Sequence, residues 1–141
     1  MVSLNVNSFL KDFWYFAYTL SNFQDFSFKR FGLGSWYLKN KNHEEHKEKV
    51  EEAFSHLHSS LEKEYDIIIA DEILYAVQLG LLDESKVIKL IKSKPKNKEL
   101  ILTGSHQPFP NIFALADLVT EVKKIKHPYD KGIIARKGIE Y

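Results

Sequence analysis

The chain has 141 residues, a length that predicts one domain, 1–141, with a single sizeable core. Its hydrophobic content of 44% and charged content of 28% are typical of a soluble globular protein, and its net charge of +1 gives no strong bias towards nucleic acid or membranes. The absence of cysteine excludes disulfides, thiolate metal sites and cysteine nucleophiles, and fits the reducing cytoplasm that we expect as its location.

The amino-terminal region is rich in aromatic residues, from Phe9 to Phe31. Lys11 and Asp12 interrupt it, whereas a membrane-spanning helix needs about 20 mostly apolar residues. A signal peptide would need a basic start and a small-residue cleavage site, which are also missing. We therefore expect buried core here and no membrane partner.

Within this region the predicted elements are short. A weak strand runs from Ser3 to Phe9, and Phe13 to Leu20 fits either a helix or a strand and turn. A short strand alternates over Phe26, Phe28 and Phe31, and Gly32 and Gly34 break it.

The middle of the chain carries the clearest patterns. Apolar residues recur at three and four from His43 to Glu64, which predicts a long amphipathic helix. Three isoleucines and an alanine follow at Ile67 to Ala70, a run typical of a parallel strand buried on both faces.

The remaining elements alternate between helix and strand, which predicts an α/β fold with a parallel sheet. Asp83 is the predicted N-cap of the second of three helices. In chain order we expect a helix from Ile73 to Leu79 that stops at Gly80, a helix with Val87, Ile88 and Ile91 that ends by Pro95, a strand from Glu99 to Thr103, a helix from Ile112 to Ala116 and a further strand from Leu118 to Val122.

Asp71 and Glu72 stand at the carboxyl end of the isoleucine-rich strand. Ligands of open parallel sheets bind outside this edge. Two acids after an apolar strand resemble a Walker B element, in which a carboxylate holds Mg²⁺ on nucleotide phosphates, directly or through water. The alternative is the start of a helix, where acids favour the positive end of the helix dipole.

The next strand ends in Thr103-Gly104-Ser105-His106. A small turn with hydroxyls at the same sheet edge could contact phosphate or Mg²⁺, and the alternative is an ordinary strand-to-loop turn. The last fifteen residues, from His127 to Tyr141, interleave glycines and tyrosines with both charges, which indicates a segment that lies against something rather than a frayed tail.

Two further clusters have compositions found in nucleic-acid-binding segments and in zinc sites. Six lysines between Lys86 and Lys98 could meet nucleic acid, but without interleaved aromatics or net basic charge we interpret them as a solvated helix face and loop, and expect no nucleic-acid partner. His43-Glu44-Glu45-His46 does not have the spacing of the HExxH zinc motif, so we interpret it as solvated helix surface.

Taken in order, several segments resemble the ATP:corrinoid (cob(I)alamin) adenosyltransferase family, which is related to P-loop NTPases. They are Asp71-Glu72, Tyr75-Ala76, Gly80-Leu81-Leu82, Leu102-Thr103-Gly104, Ala116 to Glu121 and the carboxyl-terminal fifteen residues. The similarity runs from about Tyr65 to Tyr141, with weaker landmarks at Phe9-Leu10-Lys11 and Arg30-Phe31-Gly32.

The resemblance implies a three-layer parallel sheet of P-loop NTPase (RecA-like) type and transfer of the 5′-deoxyadenosyl group of ATP to the cobalt of a reduced corrinoid, in cobalamin biosynthesis or salvage. Asp71 and Glu72 would serve Mg²⁺ or its water shell. Thr103 and Gly104 would line the phosphate region, and the carboxyl-terminal segment would pack near that edge. No individual catalytic residue is assigned.

Two departures from the family pattern stand out. Ser105 occupies a position where the family commonly has arginine, and none of the six glycines begins a Gly-Lys-Thr or Gly-Lys-Ser phosphate loop. The fold is therefore expected to be truncated at its amino terminus, without the first strand and its loop. The chain could be a fragment, which we favour, a non-catalytic relative that binds a corrinoid or protein partner, or a chain completed by another. An exposed sheet gap and exposed aromatics predict a homo-oligomer.

Overall fold

The computed structural model describes residues 19, 22–23, 25–33, 37, 41–134 and 136, together with the backbone of residues 2–4. The prediction for Phe13 to Leu20 therefore lies outside the described residues, apart from Thr19. Among the described residues, none of the helices has both the length and the apolar character needed to cross a bilayer.

Four short strands form one parallel sheet in the order β2-β1-β3-β4. They are β1 (Val2–Leu4), β2 (Lys29–Phe31), β3 (Ile67–Asp71) and β4 (Glu99–Leu102). In register, Val2 pairs with both Lys29 and Ala70, and Ala70 pairs with Leu102. The four described strands pair without an internal gap, and β2 and β4 are the edge strands of this sheet.

The helices begin and end close to their sequence signals. They are α1 (His43–Ser60), α2 (Ile73–Gln78), α3 (Glu84–Ser93) and α4 (Pro110–Phe113), followed by a 3₁₀ turn at Pro128–Lys131. Asp83 caps α3 as predicted, because its carboxylate accepts a hydrogen bond from the Ser85 amide at 2.7 Å. Helix α1 ends at Ser60, before Glu64, and α4 begins two residues before Ile112.

The core lies on one face of the sheet. Ile68 and Ala70 of β3 are buried in one cluster with Val50 and Leu57 of α1 and Leu90 of α3. Side chains alternate between the faces of a strand, so their neighbours in β3 point to the opposite side. This arrangement confirms an α/β fold with a small parallel sheet.

The opposite face of the sheet is partly exposed. Ile67 of β3 is 57% exposed and Ile101 of β4 is 45% exposed. The prediction that β3 is buried on both faces is therefore wrong for Ile67. The described residues place no second helical layer over these side chains, so the three-layer part of the prediction is not confirmed.

The prediction of a strand at Leu118 to Val122 is also wrong. The structure has irregular backbone there, with Leu118 83% and Val122 92% exposed. A strand forms only where a neighbour accepts its backbone hydrogen bonds, and no described strand lies beside this segment. All described residues from 113 to 134 are exposed, so the carboxyl-terminal segment does not pack against the sheet edge as far as it is described.

Candidate active-site edge

The carboxyl ends of β3 and β4 bring together all four of the predicted site residues. Asp71 is the last residue of β3, and Glu72 stands between that strand and α2. Thr103 and Gly104 directly follow β4, which pairs with β3. Because parallel strands end on the same side of a sheet, the two strand-end motifs meet there, as the sequence predicted.

Thr103 makes three hydrogen bonds to the turn between β3 and α2. Its hydroxyl donates to Asp71 Oδ1 at 2.7 Å and accepts from the Glu72 amide at 2.9 Å. Its carbonyl accepts from the Leu74 amide at 3.1 Å. The end of β4 is therefore fastened to the start of α2.

The backbone of this turn is unusual. Glu72 has φ of +64°, a left-handed conformation that is uncommon for residues with a side chain. Gly104 has φ of +100°, and a Cβ there would lie 3.0 Å from the Tyr75 nitrogen and 3.1 Å from Glu72 Cα. Glycine is thus required at residue 104 by both the dihedral angle and the close approach of the two segments.

The two carboxylates differ in their electrostatic environment. Burial raises the pKa of Glu72 above its ordinary value, and the neighbouring charge of Asp71 raises it further, while His106 acts in the opposite direction. Asp71 accepts the hydrogen bond from Thr103. The site therefore holds one carboxylate in a hydrogen-bonded position and a second one that is poorly solvated.

The loop after Gly104 continues along α2. Gln78 Oε1 accepts a hydrogen bond from the His106 amide at 2.7 Å, and the rings of His106 and Tyr75 meet edge to face at 5.5 Å. The Ser105 hydroxyl donates to the Gln107 carbonyl at 2.6 Å. Sequence reasoning missed Gln78, since a helical glutamine carries no pattern that marks it as a loop anchor.

The donor set fits Mg²⁺ bound together with phosphate. Carboxylate oxygens are the ligands that this hard cation prefers, and Mg²⁺ is usually held by one or two carboxylates with waters and substrate phosphates. In the part of the chain that the structure describes, no group of three or more histidine or acidic side chains could enclose a metal ion. The pair Asp71 and Glu72 thus suits an ion that brings its other ligands with it.

One of the two histidines in the His43-Glu44-Glu45-His46 sequence is buried. The His43 to His46 sequence lies on α1, where His46 is 2% exposed, so the interpretation as solvated surface is wrong for His46. It packs edge to face against Tyr37 at 5.5 Å. Its ring therefore belongs to the core beneath α1.

Two lysines at the ends of the lysine-rich segment make contacts within the fold. Lys86 pairs with Glu51 of α1 at 2.6 Å. Lys98 is 8% exposed, and its ammonium donates to the carbonyls of Lys63 and, at 2.8 Å, Tyr65. The interpretation as solvated surface is thus wrong for Lys98.

Comparison with known proteins shows the family to which the chain belongs. The model of the family "ATP:corrinoid adenosyltransferase BtuR/CobO/CobP" matches residues 3–141. The chain belongs to this family. The adenosyltransferase resemblance predicted from the strand-end motifs is therefore confirmed.

Individual adenosyltransferases are similar over about half of the chain. The corrinoid adenosyltransferase of Sinorhizobium sp is 36% identical over 76 residues, which are 53% of this chain and 35% of that protein. The corrinoid adenosyltransferase CobA of Salmonella typhimurium is 35% identical over 78 residues, 54% of this chain and 38% of that protein. The Escherichia coli K12 corrinoid adenosyltransferase is 33% identical over the same shares. The matched stretch thus spans little more than a third of these relatives.

Proposed function

We propose that the chain takes part in the transfer of the 5′-deoxyadenosyl group from ATP to the cobalt of a reduced corrinoid. The observation that carries this proposal is the acidic pair Asp71 and Glu72 at the carboxyl edge of a parallel sheet in a member of this family. Thr103 holds the pair through the Asp71 carboxylate and the Glu72 amide. ATP and the corrinoid are the substrates, and Mg²⁺ accompanies ATP.

The chemistry demands binding and placement rather than a protein nucleophile. The electron pair of Co(I) attacks the ribose C5′, a Co–C bond forms, and the C5′–O bond breaks so that its electrons leave with triphosphate. The cobalt is formally oxidised from Co(I) to Co(III) in this step. The polypeptide contributes by aligning C5′ with the cobalt and by excluding water and oxygen from the reduced metal.

Asp71 and Glu72 are the proposed contacts to Mg²⁺ or to its bound waters. The ion would offset the negative charge of the triphosphate as it leaves. The half-buried setting of Glu72, which raises its pKa, strengthens its interaction with a cation because little water competes there. The two carboxylates would thereby fix the phosphate end of ATP relative to the sheet.

The proposal needs a phosphate-binding loop, which the printed sequence does not contain. We propose that polypeptide outside this sequence supplies it, an upstream extension being favoured over a second chain. The open edge of β4, with Ile101 exposed beside it, offers a place for an added strand. A cytoplasmic location and self-association complete the proposal.

The test is adenosylation of a chemically reduced corrinoid with Mg·ATP, followed by the light-sensitive absorbance of the Co–C bond. The 141-residue chain is compared with a version extended upstream. Each carries either the native pair or Asp71→Asn with Glu72→Gln. The control replaces the exposed acids Asp117 and Glu121 by asparagine and glutamine, because these changes remove the same charge away from the sheet edge.

Product that disappears in the Asp71 and Glu72 variant, but not in the control, supports the proposal. Activity only in the extended version supports the external phosphate loop. Absence of product from both versions refutes catalysis and leaves corrinoid binding without chemistry, which direct titration with the corrinoid measures.

A further inference from the structure

Thr103 makes several hydrogen bonds to the turn that carries the two carboxylates. The side-chain oxygen bridges Asp71 Oδ1 and the Glu72 amide at 2.7 and 2.9 Å, and the main-chain oxygen receives the Leu74 amide at 3.1 Å. One residue at the end of β4 thus contacts three of the four residues from 71 to 74. These bonds add to the one by which the Thr103 amide pairs with β3, donating to the Ala70 carbonyl at 3.2 Å.

The hydroxyl of Thr103 both donates and accepts a hydrogen bond within the turn. A hydroxyl has one hydrogen to donate, and Thr103 gives it to Asp71. One acceptor position is taken by the Glu72 amide. While these bonds hold, the hydroxyl hydrogen of Thr103 is not available to a phosphate oxygen. That Thr103 lines the phosphate region stays a prediction.

The turn needs such a constraint. Glu72 holds a left-handed φ of +64°, which a residue with a side chain adopts only when its surroundings over-determine it. The hydrogen bond from the Glu72 amide to the Thr103 hydroxyl supplies part of that constraint. The close approach of Gly104 supplies the rest, since a Cβ at that residue would lie 3.1 Å from Glu72 Cα. Released from β4, this turn would relax and the two carboxylates would change direction.

We propose that Thr103 is a positioning residue, which uses its hydroxyl to fix the Asp71 carboxylate and the Glu72 turn from the neighbouring strand. The need for fixed carboxylates rests on the proposed Mg²⁺ role. The hydrogen-bonded arrangement itself does not depend on it. Because Thr103 directly follows β4, its hydroxyl links the end of that strand to the Asp71 carboxylate and to the backbone that carries Glu72.

The test compares Thr103→Val, which keeps the branched shape without the hydroxyl, with Thr103→Ser, which keeps the hydroxyl. Thr120→Val, at an exposed position, is the matched control. Amide exchange of Glu72 is measured against that of Ile68 in the core of β3, which reports global opening. The ¹³C shift of the Asp71 carboxylate is recorded at constant neutral pH. Mn²⁺ is the metal probe, and its affinity is taken from paramagnetic broadening at Asp71 and Glu72.

Thr103→Val is expected to accelerate Glu72 exchange about tenfold relative to Ile68, to move the Asp71 carboxylate shift and to weaken Mn²⁺ binding about tenfold, as expected for loss of a hydrogen bond to a charged group. Thr103→Ser should restore all three readings, and Thr120→Val should change none.

Unchanged Glu72 exchange in Thr103→Val, or failure of serine to restore the native readings, would overturn the proposal. So would Mn²⁺ binding that Thr103→Val leaves intact. Absence of Mn²⁺ broadening in the native chain would instead count against the proposed metal role. In that case the Asp71 shift and the Glu72 exchange alone decide whether Thr103 positions the turn.

Discussion

Gly104→Ala is expected to destabilise the chain through crowding as well as through strain. A left-handed conformation costs a non-glycine residue about 1–2 kcal/mol. The new Cβ would also lie 3.0 Å from the Tyr75 nitrogen and 3.1 Å from Glu72 Cα, and both are backbone atoms that cannot rotate away. Overpacking of this kind costs roughly 1–3 kcal/mol, so the sum is about 2–5 kcal/mol.

Gly80→Ala separates the two contributions. Gly80 also has positive φ, +71°, but nothing lies within 4 Å of its Cβ position. Only the strain of about 1–2 kcal/mol should remain there. The reduced freedom of the unfolded chain favours both alanine variants to the same extent, and it therefore cancels in their difference.

The assay is thermal and urea unfolding followed by circular dichroism on the native chain and both variants. With roughly 3 °C per kcal/mol for a domain of this size, Gly104→Ala should lower the midpoint by roughly 6–15 °C and Gly80→Ala by roughly 3–6 °C. An equal fall of the midpoint in the two variants would refute the reasoning, because crowding between the end of β4 and α2 would then add nothing to the cost of Gly104→Ala.

Three further outcomes are expected. Lys98→Met should cost about 1–3 kcal/mol of unfolding free energy, because two carbonyls lose their buried donor. Lys96→Met, at an exposed position, should change the unfolding free energy by less than about 0.5 kcal/mol. Urea titration compares the two variants, and equal effects would contradict the buried role of Lys98. Glu72→Gln should raise the thermal midpoint at neutral pH. A carboxyl whose pKa is raised on folding destabilises the folded protein as the pH rises above the ordinary pKa of 4.5. The gain should therefore vanish in midpoints measured below pH 4.5, and a gain that is independent of pH would argue against the ionisation of Glu72 as its cause. The Lys86 and Glu51 pair, 42% and 39% exposed, should show a coupling below about 1 kcal/mol in a double-mutant cycle, and a larger value would mean that solvent does not screen it.

Local signals made the centre of the fold predictable. The isoleucine run, the acid pair after it and the Asp83 cap each act within a few residues, and β3, α2 and α3 formed where these signals stand. The meeting of Asp71 with Thr103 was predictable too, because paired parallel strands must end on one side. These parts depend on neighbours that the printed sequence supplies.

The wrong predictions concern residues whose state depends on distant partners. A strand at Leu118 needs another strand beside it, and burial of Ile67 needs a layer over its face; neither follows from the local pattern. His46 and Lys98 look like surface residues by type, yet Tyr37 and two backbone carbonyls give them buried positions. The three bonds of Thr103 were likewise invisible, since no sequence rule specifies which neighbour a hydroxyl chooses.

The exposed stretch from 113 to 134 has a consequence for the lifetime of the protein. It places Lys123, Lys124, Lys126 and Lys131 on accessible backbone outside the core cluster. A protease such as trypsin can cut there while the sheet and helices stay folded, so cleavage follows local accessibility and not the global unfolding equilibrium. Substitutions that strengthen the core will therefore not protect this stretch, whereas a ligand or partner that covers it will.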